Sequence, residues 1–268
     1  MNRRWLVVSA AISIALVVFI ALNIKRINLP LLIKKGSVSS VLTQAKNLEA
    51  KASLLEAKGI YQKLINEFPN ASEVMNWQKK IEELNIKLLF SPIITPKSIV
   101  YQIQPGDTLT KIAKKFKTIP ELIMVSNGLT SDKISPGRKI KVWIAPFSIV
   151  VDKSQNTLIL KSEEEIIKTY IVSTGSNNST PTGTFKIANK LLNPTWFKAG
   201  AVVLPASPEN ILGSRWLGFS LPGYGIHGTT DPKSLGRQVT QGCIRMSNSD
   251  VEELYNIVSV ETEVTIFD

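Results

Sequence analysis

His227 and Cys243 are the only histidine and the only cysteine in a chain of 268 residues, and they stand sixteen positions apart in the stretch GIHGTTDPKSLGRQVTQGCIRMSNSD. A thiol with a pKa of about 8.5 is only a few per cent thiolate at neutral pH, so a nucleophilic cysteine needs an imidazole or a local positive field beside it. Two short strands, or a strand and a loop, suffice to return the chain and set the two side chains together. Gly242 allows a tight turn in which successive backbone N–H groups aim at one spot, as an oxyanion hole requires. Arg245, two residues beyond the cysteine, adds positive potential or braces the loop. Taken singly, a cysteine is most often a small buried hydrophobe and a histidine a satisfied polar residue. It is their joint placement in glycine-flanked turns that points to chemistry.

The rest of the chain sets the compartment and the partners. One cysteine excludes an intramolecular disulfide, and one Cys with one His cannot supply the four ligands of a structural zinc site, so neither metal nor cofactor is expected. The formal net charge of +11 is unevenly spread. Residues 1–146 carry 22 Lys and Arg against 9 Asp and Glu, or +13, whereas residues 147–268 carry 10 against 12, or −2. A basic front half suits an anionic membrane surface or wall polymer. No helix-turn-helix, zinc-finger or RNP motif accompanies it, and nucleic acid is not an expected partner.

Residues 5–24, WLVVSAAISIALVVFIALNI, are uncharged and long enough to cross a bilayer as a helix. The absence of a small-x-small cleavage site favours an uncleaved anchor over a removed signal peptide. Residues 1–36 are therefore expected to form a membrane anchor and its juxtamembrane flank. The charges after the span outnumber those before it, so the positive-inside rule favours the orientation opposite to the one the function requires.

Residues 37–90 read as helical: Val41, Ala45, Leu48, Ala52 and Leu55 recur at helical spacing, and Pro69-Asn70 separates a second apolar stripe through Trp77, Ile81, Leu84 and Leu88. LLEAKGIYQKLINEFPNA resembles the helix pair of a tetratricopeptide repeat; a single repeat serves as a spacer or small docking unit. Residues 91–98, with two prolines, read as a linker. Residues 99–145 then give a strand, a helix capped by Thr108, a second helix capped by Thr118, turns at Asn127-Gly128 and Pro136-Gly137, and a final strand. From residue 147 to 268 the periodicity is that of strands: Ile149 and Val151, Leu158 and Leu160, Tyr170 and Val172 alternate with polar residues. Only SNSDVEELYNIV reads as a helix there, with Ser249 and Glu252 in capping-box spacing. The expected fold is multidomain: a mostly-β, mostly antiparallel domain of sandwich or barrel type, preceded by a small βααβ module, the helical segment and the transmembrane helix.

Two resemblances attach function to these parts. YQIQPGDTLTKIAKKF and NGL…ISPGRKIKV resemble a LysM module along its whole length, which implies binding to glycan strands of the N-acetylglucosamine type. HGT…GRQVTQGCIRMSNSD, with STGSNNSTPTGTFKI, NPTW and LGSRWLGFSLPGYGIHGT, resembles the catalytic domain of the YkuD-type L,D-transpeptidases over about residues 147–268. That resemblance implies Cys243 as nucleophile, His227 as general base and later acid, and the Gly228 carbonyl as the group orienting the imidazole. It also implies an oxyanion hole from the Gly242 and Cys243 N–H groups, with Arg245 and Thr240 at the substrate side. Many members read Ser-His-Gly-Cys where this chain reads Thr240-Gln241-Gly242-Cys243, so the second histidine has no counterpart. The implied reaction joins peptidoglycan stem peptides by 3→3 cross-links through a thioester. Water, a protein or a free D-amino acid as acceptor is an alternative, as is a non-catalytic wall-binding scaffold. Two further expectations follow: a mutually stabilised thiolate–imidazolium pair that lowers the cysteine pKa and raises that of the histidine, and a LysM module whose deletion spares turnover of small substrates. A cell-membrane location with the catalytic part facing the wall completes the reading.

Overall fold

The computed structural model describes residues 38–198, 200–205 and 207–268. The apolar stretch at residues 5–24, read as a membrane span, lies outside them. Among the described residues no helix is long and apolar enough to cross a membrane. The chain divides into two compact units, Met1–Leu84 and Asn85–Asp268.

The first unit holds α1 (Val38–Ala50), α2 (Leu54–Glu67) and most of α3 (Val74–Leu89). Ala45, Ala57, Tyr61, Leu64, Trp77 and Leu84 are central to its core. The break at Pro69-Asn70 falls where the sequence puts it. The apolar stripe expected to run on through Ala52, however, is interrupted there. Ala52 adopts a φ of 57°, and the Ser53 N–H closes the end of α1 on Leu48 O at 2.9 Å. No glycine or proline announces this turn, and it leaves Leu55 exposed.

In the second unit β1 (Ser98–Gln102) and β2 (Lys139–Trp143) pair antiparallel, with α4 (Leu109–Phe116) and α5 (Pro120–Ser126) between them in the chain. Thr108 caps α4, its Oγ1 accepting the Lys111 N–H at 3.2 Å. Thr118 does not cap α5. Its N–H closes α4 on Ala113 O at 3.0 Å, and α5 begins with Ile119 at the cap position and Pro120 in the first turn, where a missing N–H costs nothing.

This βααβ module is not strung on a free linker. Leu89, Ile119, Leu122 and Trp143 lie in the same buried cluster as Ile149, Val151, Leu158 and Leu160 of the following domain. The Trp143 ring stacks on Phe147 at 5.5 Å between centroids. Polar ties reinforce the joint: Lys141 Nζ donates to Leu88 O and, at 2.9 Å, to Ser91 O; Ser126 Oγ donates to Leu89 O at 2.8 Å. Asn85 Nδ2 donates to Ile166 O and Ile167 O at 3.0 and 3.1 Å, and Lys97 pairs with Glu165 at 3.1 Å. Burial pushes the Lys141 ammonium down to about 8, the cost of placing a charge where carbonyl oxygens alone receive it. Residues 91–97 connect α3 to β1 within the second compact unit.

The last domain contains β3 (Phe147–Asp152), β4 (Thr157–Ser162), β5 (Glu165–Ile171), β6 (Thr174–Gly175), β7 (Gly183–Leu192), β8 (Trp196–Lys198), β9 (Ala201–Val203), β10 (Arg215–Phe219), β11 (Gly225–His227), β12 (Gln238–Thr240), β13 (Ile244–Arg245), α6 (Asn248–Tyr255) and β14 (Glu263–Phe267). Eight strands form one sheet in the order β13-β11-β10-β7-β14-β3-β4-β5. Most neighbours are antiparallel, as expected, but β14 with β3 and β11 with β13 are parallel. β13 and β5 end this order, and an antiparallel bridge joins Arg245 of β13 to Ser173, just beyond the end of β5. Ile149, Val151, Leu158, Leu160, Tyr170 and Val172, the alternating residues of the sequence, are all buried. The cap of α6 is Ser247, whose Oγ accepts the Asp250 N–H at 3.1 Å, rather than Ser249.

Candidate active site

At the β13 edge of the sheet the parallel register sets Ile226 opposite Ile244 and His227 opposite Arg245. Strand side chains alternate between faces. Ile226, Ile244 and Met246 are fully buried in the core, so His227, Arg245 and, one step before the strand, Cys243 take the other face. The sixteen-residue spacing is what the chain needs to leave β11, pass through β12 and return alongside it as β13.

His227 is 3% exposed and its Nδ1 lies 2.7 Å from Gly228 O. A carbonyl oxygen only accepts, so in the neutral ring Nδ1 carries the hydrogen and Nε2 presents its lone pair. Burial drives the imidazole pKa down to about 4; the Gly228 carbonyl opposes this and the Arg245 charge adds to it. Trp216, opposite His227 in the β10–β11 register, stacks on the ring at 6.1 Å and 18°. Cys243 is half-buried, its Sγ 3.5 Å from Gly223 O. Burial raises the thiol pKa, against the pull of the Gly225 N–H and of Arg245. Both shifts run opposite to those of an ion pair. Desolvation favours the neutral form of each group, the thiol and the imidazole alike.

Thr240 and Gly242 shape the turn that carries Cys243. Thr240 is buried; its hydroxyl donates to Cys243 O at 2.6 Å and accepts the Gly242 N–H at 3.2 Å, which ties the two sides of the Cys243 turn together and commits its one donor there. The same bond engages the Gly242 N–H in the resting state. Gly242 has φ +125°, and a Cβ there would come within 2.7 Å of the Tyr224 ring, so only glycine fits. Arg245 braces the site from behind: Nη1 donates to Ser234 Oγ at 2.9 Å, and its backbone exchanges hydrogen bonds with Ser173 at 2.8 and 2.9 Å. Its Nε is buried without a partner among the described residues.

Residues 146–266 match the L,D-transpeptidase catalytic domain, YkuD, and residues 101–143 match the LysM domain. The chain is 36% identical over 176 residues to a protein named L,D-transpeptidase YkuD from Bacillus licheniformis, a match covering 63% of this chain and 98% of that one. The chain belongs to the L,D-transpeptidase family. The Bacillus subtilis protein of the same name is 35% identical over 175 residues, again covering 63% of this chain and 98% of that one. Another from B. subtilis, named L,D-transpeptidase YqjB, is 38% identical over 126 residues, covering 45% and 70%.

Sequence reasoning on this transpeptidase missed several residues at the site. Gly223 and Gly225 approach the sulfur through their backbones, and the GYGIH punctuation was their only trace. Trp216 could have been found from its place in a strand that precedes the histidine hairpin. Asn248, whose Oδ1 accepts the Thr229 N–H at 3.1 Å two residues after His227, looked like one residue of a helix start, and nothing in the sequence tied it to this loop.

Proposed function

We propose that the chain is a wall-bound transpeptidase that forms 3→3 cross-links between peptidoglycan stems through a thioester on Cys243. The observation that supports this reading is the parallel β11–β13 register, which sets His227 opposite Arg245, two residues after Cys243 on the same strand edge, while the imidazole Nδ1 meets Gly228 O. On substrate binding the Sγ proton passes to His227 Nε2 as the sulfur attacks the carbonyl of the third residue of a stem tetrapeptide. The Cys243 N–H, which makes no hydrogen bond among the described residues, faces the developing oxyanion, joined by the Gly242 N–H if it leaves Thr240. The C–N bond breaks, the departing D-alanine amine takes the proton from Nε2, and a thioester remains. The amine of a second stem attacks it, returns a proton through Nε2 to sulfur, and leaves one new amide for the one cleaved. No ATP is needed, since the thioester stores the energy of the broken amide.

The LysM module supplies affinity for glycan strands, and the apolar residues 5–24 anchor the chain in the membrane with the remainder facing the wall. Peptidoglycan lies outside the membrane, which sets this orientation against the raw count of flanking charges. The test is to incubate residues 38–268 with purified tetrapeptide muropeptides and weigh the products. A dimer lacking one D-alanine is expected, together with a mass increase on the protein that disappears in Cys243→Ala. Shortened monomers alone would make the acceptor water, and no product at all would leave a wall-binding scaffold.

A further inference from the structure

We infer that Asn248 is a positioning residue for the imidazole, acting through the peptide unit between Gly228 and Thr229. This rests on His227 being the base. The Gly228 carbonyl that receives His227 Nδ1–H and the Thr229 N–H belong to one planar peptide group. The carbonyl end lies 2.7 Å from Nδ1. The N–H end is donated to Asn248 Oδ1 at 3.1 Å. A plane gripped at its N–H end cannot turn its carbonyl away from the ring, so the side-chain amide fixes the acceptor that selects the tautomer.

The grip has two further points. Asn248 Nδ2 donates to Thr229 O at 2.9 Å, which holds the next peptide as well, and Oδ1 also accepts the Ser214 N–H at 3.1 Å. Gly228 and Gly213 make room for it: a Cβ built on either would collide with Asn248 Oδ1. The residue itself sits at the first position of α6, just after the Ser247 cap, so the helix supplies a rigid base for the clamp. The run Asn248 Oδ1, Thr229 N–H, Gly228 C=O, His227 Nδ1–H is a chain of polarised groups, each strengthening the next. Its far end is Nε2, where the lone pair must point at Cys243.

The chain's single histidine makes the effect readable without catalysis. Nitrogen-15 NMR of the imidazole at pH 7 should show one tautomer, hydrogen on Nδ1, in the wild-type residues 38–268. In Asn248→Ala, where solvent can enter at this exposed position, the ring should become a mixture with the Nε2–H form. Release of D-alanine from a tetrapeptide should lose about tenfold to a hundredfold in kcat with KM changed less than about threefold, the pattern of a lost transition-state group. An unaltered tautomer in a folded Asn248→Ala protein overturns the proposal, and so does a loss of kcat with the tautomer intact. Should that variant not fold, Asn248→Ser, too short to reach both the Thr229 N–H and the Thr229 carbonyl, carries the same expectation and the same refutation. If the wild type releases no D-alanine, the transpeptidase reading fails while the NMR comparison still decides the clamp.

Discussion

Lowering the pH should destabilise this protein through His227. The imidazole is buried, its pKa held at about 4 against 6.5 in an unfolded chain. Between those values the unfolded state binds more protons, so stability rises with pH, is complete above 6.5 and is lost as pH falls through 4. A gap of 2.5 units at about 1.4 kcal/mol each gives about 3–4 kcal/mol, most of it gone by pH 4.5. Carboxylates titrate over the same range, so the comparison has to be made against His227→Gln, which keeps a polar side chain of similar size and cannot charge. Urea denaturation of both proteins at pH 7.5 and 4.5 isolates the histidine as a double difference of about 2–3 kcal/mol. Carbon-13 NMR of the lone imidazole in the folded state should give a midpoint well below 6. A midpoint at or above 6.5, or a double difference within about 0.5 kcal/mol, refutes the claim that burial governs this group, and restores the ion pair that the sequence suggested.

Other expectations concern the turn, the nucleophile and the joint. The rate of Cys243 alkylation should climb with pH like that of an ordinary or raised thiol, with no shoulder near neutrality; such a shoulder would mean a preformed thiolate. Cys243→Ala should abolish the covalent adduct while its urea midpoint stays within error of wild type, since the half-buried thiol packs little. Thr240→Val, equal in shape, removes both hydrogen bonds of the nucleophile's turn and should cost about 1–2 kcal/mol and slow acylation; unchanged acylation would show that the turn holds itself. Trp143→Ala should destabilise the second unit as a whole by about 3 kcal/mol, at the low end for a tryptophan because its buried Nε1 has no partner to lose. A calorimetric trace in which the LysM part melts separately would contradict this.

Much of the fold was legible because burial on one face leaves a period in the sequence. The alternating pairs from Ile149 to Val172 and the apolar stripes of α4 and α5 are of that kind, and so are turns that glycine or proline must make. What stayed hidden has no local signature. The turn at Ala52 is made by an ordinary residue in a left-handed conformation, and the cap of α6 fell on the other of two serines. At the site, residue types singled out Cys243 and His227, and the β11–β13 register brings the segments that carry them side by side. Their protonation could not be read, because it depends on how deeply the ring is buried, and burial is a property of the assembled sheet. Thr240 and Asn248 show the same limit: a hydroxyl or an amide has many uses, and only the neighbours brought by distant segments choose among them.

Sequence divides the second unit at Ala145, where one recurrent module ends and another begins. The hydrophobic cluster shared by Leu89, Ile119, Leu122, Trp143 and the strands β3 and β4 ignores that border. The two modules share one interior, so exchanging either alone uncovers apolar surface of the other. A graft of a foreign LysM at this seam would have to bring its own Trp143, or leave an oily wound on the catalytic half.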